Sequence, residues 1–325
     1  MPSIRTPMLA SRCSSSICLA CAAVVLWGLP LAADPISFVS EASYTTLLSQ
    51  LGTRNGDNRG VGGAQHDPAQ TFIFNSLAAD GLSPYLDSFV FGGSTYANVV
   101  GVLPGATHPN DIYIVGAHYD SAGTPGADDD ASGVAGMLEA ARVLSQTRFE
   151  DTIIFIGFDR EEQGLIGSNA FAFAHRNDNI LGMLSLDMIG WQDPAHPQSA
   201  FIYGGTAPGS ALFDAALQNA FTNYGGGLTA TLMGPNANSD NYSFERYGKP
   251  GALMIENYGS NPCYHRACDS IDTLNYIDYG FGTDMTRVAV GFVADIATET
   301  PEPDTAAIAC VGLLVVFALR YSHQS

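Results

Sequence analysis

The sequence predicts a single α/β domain, with a mostly parallel, mixed central sheet and helices on both faces. Three observations predict it. Residues 111–117 (Asp-Ile-Tyr-Ile-Val-Gly-Ala) and 152–158 are short apolar runs of strand length, as expected of strands buried on both sides. Between them Val134, Met137, Leu138, Ala141 and Leu144 recur at helical spacing, so residues 132–146 form an amphipathic helix. Strands alternating with helices imply a largely parallel sheet covered on both faces.

The other elements follow along the chain. Residues 40–51 read as a helix, and residues 55–69, rich in Gly and Asn, as a loop. Residues 70–80 read as a second helix. Residues 88–103 alternate apolar and polar side chains and read as strands. Residues 184–188 and 252–255 are further strands, and residues 210–222 and 278–297 further helices. Ligands in such folds bind outside the carboxyl ends of the strands. His118, Glu161 and Glu162 each follow a predicted strand, and Asp187 closes one.

The chain has 325 residues, and a targeting segment at each end leaves roughly 270 for one core. Formal net charge is −19, from 13 Lys+Arg against 32 Asp+Glu. Such a surface repels nucleic acid and anionic lipid and attracts cations. Residues 1–33 read as a secretory signal. Arg5 and Arg12 precede an apolar stretch, and Leu31-Ala32-Ala33 offers a small-residue cleavage site. Cys13, Cys18 and Cys21 lie in that segment and Cys310 in an apolar tail, so the body, residues 34–300, keeps Cys263 and Cys268. In an oxidising compartment two cysteines so close suggest a short disulfide-closed loop, with free thiol metal ligands as the rival reading.

Four segments carry chemistry. In Gly116-Ala117-His118-Tyr119-Asp120-Ser121, a His at a strand end can bind a metal through one ring nitrogen, with Asp120 holding the other. Asp128-Asp129-Asp130 precedes a helix and could cap it or bridge two metals; taken alone, capping is the simpler reading. In Asp159-Arg160-Glu161-Glu162, one glutamate can ligate a metal while its neighbour takes a proton from water. Asp187 is a lone carboxylate among apolar residues, and His265 lies inside the Cys263–Cys268 loop. The remaining histidines, His66, His108, His175, His196 and His323, read as surface or loop residues.

In this order and spacing the segments resemble the co-catalytic di-zinc aminopeptidase family, which includes bacterial leucyl aminopeptidases and aminopeptidase Y. The resemblance spans residues 40–297 and implies the zinc-exopeptidase, phosphorylase/hydrolase-like fold. It implies two zinc ions per chain, held by His118, Asp129, Glu162, Asp187 and His265, with Asp129 bridging. It gives Glu161 the role of general base to a water activated by both metals. Tyr264 matches a tyrosine that stabilises the tetrahedral intermediate in some members. Asp120 and Asp269 are expected to orient His118 and His265. Ser239-Asp240-Asn241 resembles the family's Ser-Asp-His stretch but lacks the His.

The implied activity is removal of N-terminal residues from peptides by an exported enzyme. Arg160, Arg246 and Arg266 keep a carboxypeptidase or dipeptidase open, because those sites need a cation for the substrate carboxylate. A glutaminyl cyclase on the same scaffold also stays open, and so does an inactive surface binding module. Pro301-Glu302-Pro303, the apolar run 305–319 and Arg320 resemble the PEP-CTERM sorting signal. That resemblance implies processing of residues 301–325 by a membrane exosortase and contact with the membrane through this segment alone. A plain C-terminal membrane anchor is the rival reading of the same residues.

Overall fold

The computed structural model of the protein describes residues 35–297. The expected signal segment and sorting tail lie outside the described residues. Among the described residues, no helix is long and apolar enough to cross a membrane.

Helix α1 (Glu41–Ser49) opens the domain, with the Ser40 side chain accepting from the Ser43 N–H. Buried Glu139 reinforces this start by accepting from the Ser40 N–H at 2.8 Å and the Ser43 hydroxyl at 2.6 Å. Helix α2 (His66–Ala79) begins earlier than the sequence suggests. Asp67 and Pro68 belong to its first turn, where an unbonded N–H costs nothing. Strands β1 (Tyr85–Phe91) and β2 (Ser94–Leu103) form a hairpin. The two-residue turn needs positive φ at both positions, supplied by Gly92 (58°) and Gly93 (84°).

Strand β3 (His108–His118) leads to helix α3 (Ala131–Leu144) and strand β4 (Asp151–Phe158). Helix α4 (Ile166–Ala174) returns the chain to strand β5 (Asn179–Leu186). Strand β6 (Ser199–Tyr203), helix α5 (Ser210–Tyr224), strand β7 (Thr229–Met233) and helix α6 (Asn241–Glu245) follow. Strand β8 (Gly251–Ile255) and helix α7 (Tyr279–Ile296) complete the domain.

The eight strands lie in the order β1-β2-β4-β3-β5-β8-β6-β7. The inner four, β4, β3, β5 and β8, run parallel. Antiparallel pairs join β2 to β4 at one side and β6 to β8 at the other, which makes the sheet mixed. Alternate residues feed two cores. Val115, Ala117, Ile153, Phe155, Leu184 and Leu186 enter the larger core, with α1, α2, α3, α5 and α7. Ile114, Ile154, Ile156, Phe158 and Met183 enter the smaller one, with Phe171 of α4 and Phe244 of α6. The predicted single α/β domain with helices on both faces is the fold observed.

Four elements escape the pattern of the sequence. Strands β6 and β7 and helix α6 have five residues each, too few to show a period. Helix α4 (Ile-Gly-Ser-Asn-Ala-Phe-Ala-Phe-Ala) has no polar stripe. The strand expected at 184–188 runs instead from Asn179 to Leu186, and Asp187 stands just beyond it. His118 is the last residue of β3 rather than the first beyond it. His66, expected at the surface or in a loop, is also placed differently. It is 8% exposed, and its Nε2 lies 2.8 Å from Asp159 Oδ1, because the start of α2 packs against the end of β4.

Close packing of α3 on β5 depends on Gly133, where a Cβ would collide with the Leu186 carbonyl and the Asp130 carboxylate. Gly133→Ala is expected to cost about 1–3 kcal/mol by overpacking and to lower the thermal midpoint by several degrees. Gly234→Ala, whose Cβ would meet nothing within 4 Å, should leave the midpoint unchanged. Thermal unfolding of the two variants side by side checks the assignment, and equal midpoints would refute it.

Candidate metal centre

Parallel strands end on one side of the sheet, and their ends gather the predicted residues. His118 ends β3 and pairs in register with Phe158 of β4. Three residues past Phe158 the chain reaches Glu161 and Glu162, and Asp187 follows β5 directly. Asp129 comes from the loop between β3 and α3. His265 comes from the loop after β8, closed by the predicted Cys263–Cys268 disulfide, with Cα atoms 5.2 Å apart. Inside that loop His265 adopts a positive φ of 56°.

Two triads of candidate ligands result: His118, Asp129 and Asp187, and Asp129, Glu162 and His265. Asp129 belongs to both. His118 Nε2 lies 3.2 Å from Asp129 Oδ1 and 3.9 Å from Asp187 Oδ1. His265 Nε2 lies 3.1 Å from Asp129 Oδ2 and 3.2 Å from Glu162 Oε2. A tetrahedral zinc with ligands near 2.0–2.2 Å separates its ligand atoms by about 3.3 Å. Glu162 Oε1 is buried without a hydrogen-bond partner, and Asp129 Oδ2, also buried, faces only the His265 imidazole at 3.1 Å. A buried carboxylate oxygen left without a donor is costly. Donors that crowd together while leaving such an oxygen unsatisfied suit a cation between them, so the residues present fit a metal pair.

The three consecutive aspartates divide the work. Asp130 is the helix cap: Oδ1 accepts from Gly133 N–H at 2.9 Å and Met188 N–H at 3.1 Å, and Oδ2 from His118 N–H at 3.1 Å. Asp128 points away, accepting from Gly190 N–H at 2.8 Å and from Asn261 Nδ2 at 2.8 Å. Asp129 alone faces both histidines. Capping, weighed against bridging from the sequence, falls to Asp130, which leaves the Asp129 carboxylate between His118 and His265.

Asp269 differs from its expected place beside His265. Its two oxygens accept from the N–H groups of Asp128 at 2.7 Å and Asp129 at 3.1 Å, so it holds the aspartate loop. Asp120 lies 3.5 Å from His118 Nδ1, and its backbone carbonyl is nearer, at 3.2 Å. The Asp120 carboxylate also accepts from Glu161 N–H at 3.0 Å and Glu162 N–H at 3.3 Å, which sets the glutamate pair.

Arg59, unmarked in the sequence, is buried beneath the site. It donates to the carbonyls of Tyr119 at 2.9 Å, Pro125 at 2.5 Å and Gly126 at 2.7 Å, pinning the loop that carries Asp129. A lone Arg in a Gly- and Asn-rich stretch gives no periodic signal by which to find it.

The site is a buried pool of negative charge. Burial, with the carboxylates of Asp240, Asp187 and Glu162, raises Glu161 well above the ordinary range despite the opposing effect of His118. Burial also pushes Asp187 up to about 6. Asp129 is lowered, because His118 and His265 outweigh its burial. Asp129 and Glu162 push His265 up to about 10. Burial opposes charge on His118, but Glu161, Asp120 and Asp129 outweigh it and raise that imidazole too. Asp240 is buried, has no partner on either carboxylate oxygen, and is pushed up to about 7 by burial.

The metal pocket is lined on one side by His118, Asp129, Glu161, Glu162, Asp187 and His265. Met188, Leu253, Ile255 and Tyr258 form an apolar wall, and Asn236 and Asn238 border it. Tyr264 also lines the pocket, with its ring 4.0 Å from that of His265. None of the three arginines noted from the sequence lines it. The Arg160 guanidinium stacks on Tyr96, 3.8 Å from the ring centre, in a separate cavity with His66 and Asp67. Arg246 lies over Tyr242, and Arg266 donates to the Pro262 carbonyl.

Known proteins resemble this chain in sequence and in fold. Leupeptin-inactivating enzyme 1 of Streptomyces exfoliatus is 27% identical over 295 residues, a match covering 82% of this chain and 64% of that protein. The chain therefore spans less than two-thirds of that relative's length. The LapA aminopeptidase of Legionella pneumophila shares the fold, with a TM-score of 0.69 at 20% identity over 82% of this chain and 74% of that one. A zinc aminopeptidase from Bacillus subtilis matches with a TM-score of 0.56 at 26% identity, over 65% of this chain and 53% of that one. Residues 98–290 match the model of peptidase family M28, a stretch that takes in every candidate ligand. The chain is a member of peptidase family M28.

Proposed function

We propose that this metallopeptidase is a zinc aminopeptidase carrying two zinc ions, one among His118, Asp129 and Asp187 and one among Asp129, Glu162 and His265. The observation behind it is the pair of triads sharing Asp129, with Glu161 Oε2 4.0 Å from His118 Nε2 at their edge. Imidazole and carboxylate donors suit zinc, and the Bacillus subtilis enzyme of similar fold is named for that metal. Bound zinc would supply Lewis acidity, polarising the scissile carbonyl and lowering the pKa of water.

The chain's own residues supply the rest. Glu161 accepts the proton of the attacking water and returns it to the leaving amine, a task helped by the raised affinity for protons that burial gives it. The Tyr264 phenol is held well above its ordinary pKa by burial and by the neighbouring carboxylates, so it keeps its proton and can donate to the developing oxyanion. Met188, Leu253 and Ile255 offer an apolar surface to the first side chain of the substrate. The carboxylate-rich wall favours a cationic α-amine. The carboxypeptidase and dipeptidase readings lack support, because Arg160, Arg246 and Arg266 are absent from the lining.

We further propose that the protein is exported by residues 1–33 and processed at residues 301–325 by an exosortase-type enzyme, with membrane contact through that tail alone. The formed Cys263–Cys268 disulfide suits an oxidising compartment.

Purified protein should cleave a leucyl anilide with a free amine and leave its N-acylated counterpart intact. Cleavage of the blocked substrate alone would overturn the aminopeptidase reading, and cyclisation of an N-terminal glutaminyl peptide without anilide cleavage would favour a cyclase. Glu161→Gln should lower kcat by at least ~10²-fold, the scale of general-base catalysis, while two zinc ions per chain remain by elemental analysis. Retained turnover would remove Glu161 from its role.

Metal dependence of stability should follow pH with a definite sign. His265, raised from 6.5 to about 10, stabilises the metal-free fold fully below pH 6.5, and this is lost as pH rises through 10. Asp187, raised from 3.8 to about 6, acts in the same direction between those values. Zinc needs neutral imidazole and ionised carboxylate, so its affinity rises with pH. The gap in thermal midpoint between zinc-loaded and metal-free protein should therefore widen from pH 6 to pH 9. A gap that narrows over this range contradicts the assignment.

A further inference from the structure

One neutral side chain joins the segments that carry the second metal triad. Asn261 lies in the loop after β8, two residues before Cys263 and four before His265. It is buried, and every hydrogen-bonding position of its amide is used. Nδ2 donates to Asp128 Oδ2 at 2.8 Å and to Glu256 Oε1 at 2.7 Å. Oδ1 accepts from the Cys263 N–H at 2.9 Å and from the Tyr276 hydroxyl at 3.2 Å. An amide has two N–H donors and an oxygen with two lone pairs, so these four bonds satisfy it in full.

The partners belong to different parts of the site. Asp128 immediately precedes Asp129, the residue common to both triads. Glu256 directly follows β8, and its Oε2 accepts from the Trp191 N–H at 2.8 Å. Cys263 opens the disulfide loop that carries His265. Asp128 and Glu256 are both fully buried, so the two hydrogens of Asn261 meet acceptors that are costly to leave unmet. A carboxylate at 261 would add a third negative group here and give those acceptors no hydrogen.

His265 depends on such a hold more than the other ligands do. Its side chain is 42% exposed, so packing does not fix it. His118 and Asp187 instead sit at the ends of β3 and β5, which the sheet holds in register. Asp269, beyond the far end of the disulfide loop, grips the peptides of Asp128 and Asp129. Asn261 grips the same aspartate loop from the near end. We propose that Asn261 is a positioning residue for the second metal, setting His265 against Asp129 and so governing the affinity of the Asp129, Glu162 and His265 site. This rests on the two-zinc reading above.

The test titrates zinc into full-length, chelator-stripped protein in competition with a chromophoric chelator. Asn261→Ala should weaken one of the two zinc sites by about 10–100-fold, the scale of losing a group that orients a ligand, and leave the other unchanged. Combined with His265→Ala, which already removes the second site, it should weaken the remaining site no further, because both changes act on one site. A merely structural role would weaken both sites together and add to His265→Ala. If Asn261→Ala does not fold, Tyr276→Phe decides: it removes only the hydroxyl that binds Asn261 Oδ1, and it should weaken the same site alone. Loss spread over both sites, additive effects with His265→Ala, or an unchanged second site would overturn the proposal while leaving two zinc ions on the parent protein. Fewer than two on the parent would overturn the two-zinc reading, and the proposal with it.

Discussion

The structure turns on the cost of burying carboxylates together. Asp128, Asp129, Asp130, Asp187 and Asp240 are all buried near the ends of the central strands, with Glu161 and Glu162 beside them. Ionised groups so placed are each unfavourable by several kcal/mol unless paired. Two imidazoles and one buried guanidinium are the nearest cations, too few to neutralise the set. The arrangement makes sense around divalent metal, and it shows in Asp187, raised by its burial and by Asp129 and Glu162, and in His118 and His265, raised by the carboxylates that face them.

Around this cluster, the chain assigns each acidic group one geometric task. Asp130 locks the start of α3 to the ends of β3 and β5. Asp269 fixes the two peptides that carry Asp128 and Asp129. Asp120 fixes the two peptides that carry Glu161 and Glu162. Arg59 holds the carbonyls of the intervening loop. Most of these bonds are to backbone, so they set where the functional side chains start rather than touching them. This is how a site built from separate loops can hold its groups within about half an ångström of a working geometry.

Some of this was legible in the residues. Buried strands announce themselves through continuous apolar runs, and α3 through its stripe, so the inner sheet followed from pattern. The five candidate ligands followed from the resemblance of four segments, in their order and spacing, to a known family, because each segment taken alone had an ordinary structural reading. The short edge elements β6, β7 and α6 were invisible, since five residues carry no period. His66 was misread because burial of a helix start against the end of β4 is a contact between distant segments, to which local composition is blind. Asp269 was misjudged for the same reason: nearness to His265 in the chain did not decide which N–H groups its oxygens would meet.

The order of residues alone was enough for the layered α/β domain, the residue types able to hold metal, the glutamate pair and the disulfide loop. Each rests on local chemistry, on spacing of a few residues, or on resemblance to a family whose motifs survive here. Folding in three dimensions settled which of three adjacent aspartates faces both histidines, because one residue of register rotates a carboxylate from the metal pocket to a helix cap. Folding likewise turned Arg160 away from the pocket and set Arg59 against the loop that carries Asp129. Those outcomes depend on how separate segments pack and share hydrogen bonds, and packing between distant segments leaves no trace in the order of residues.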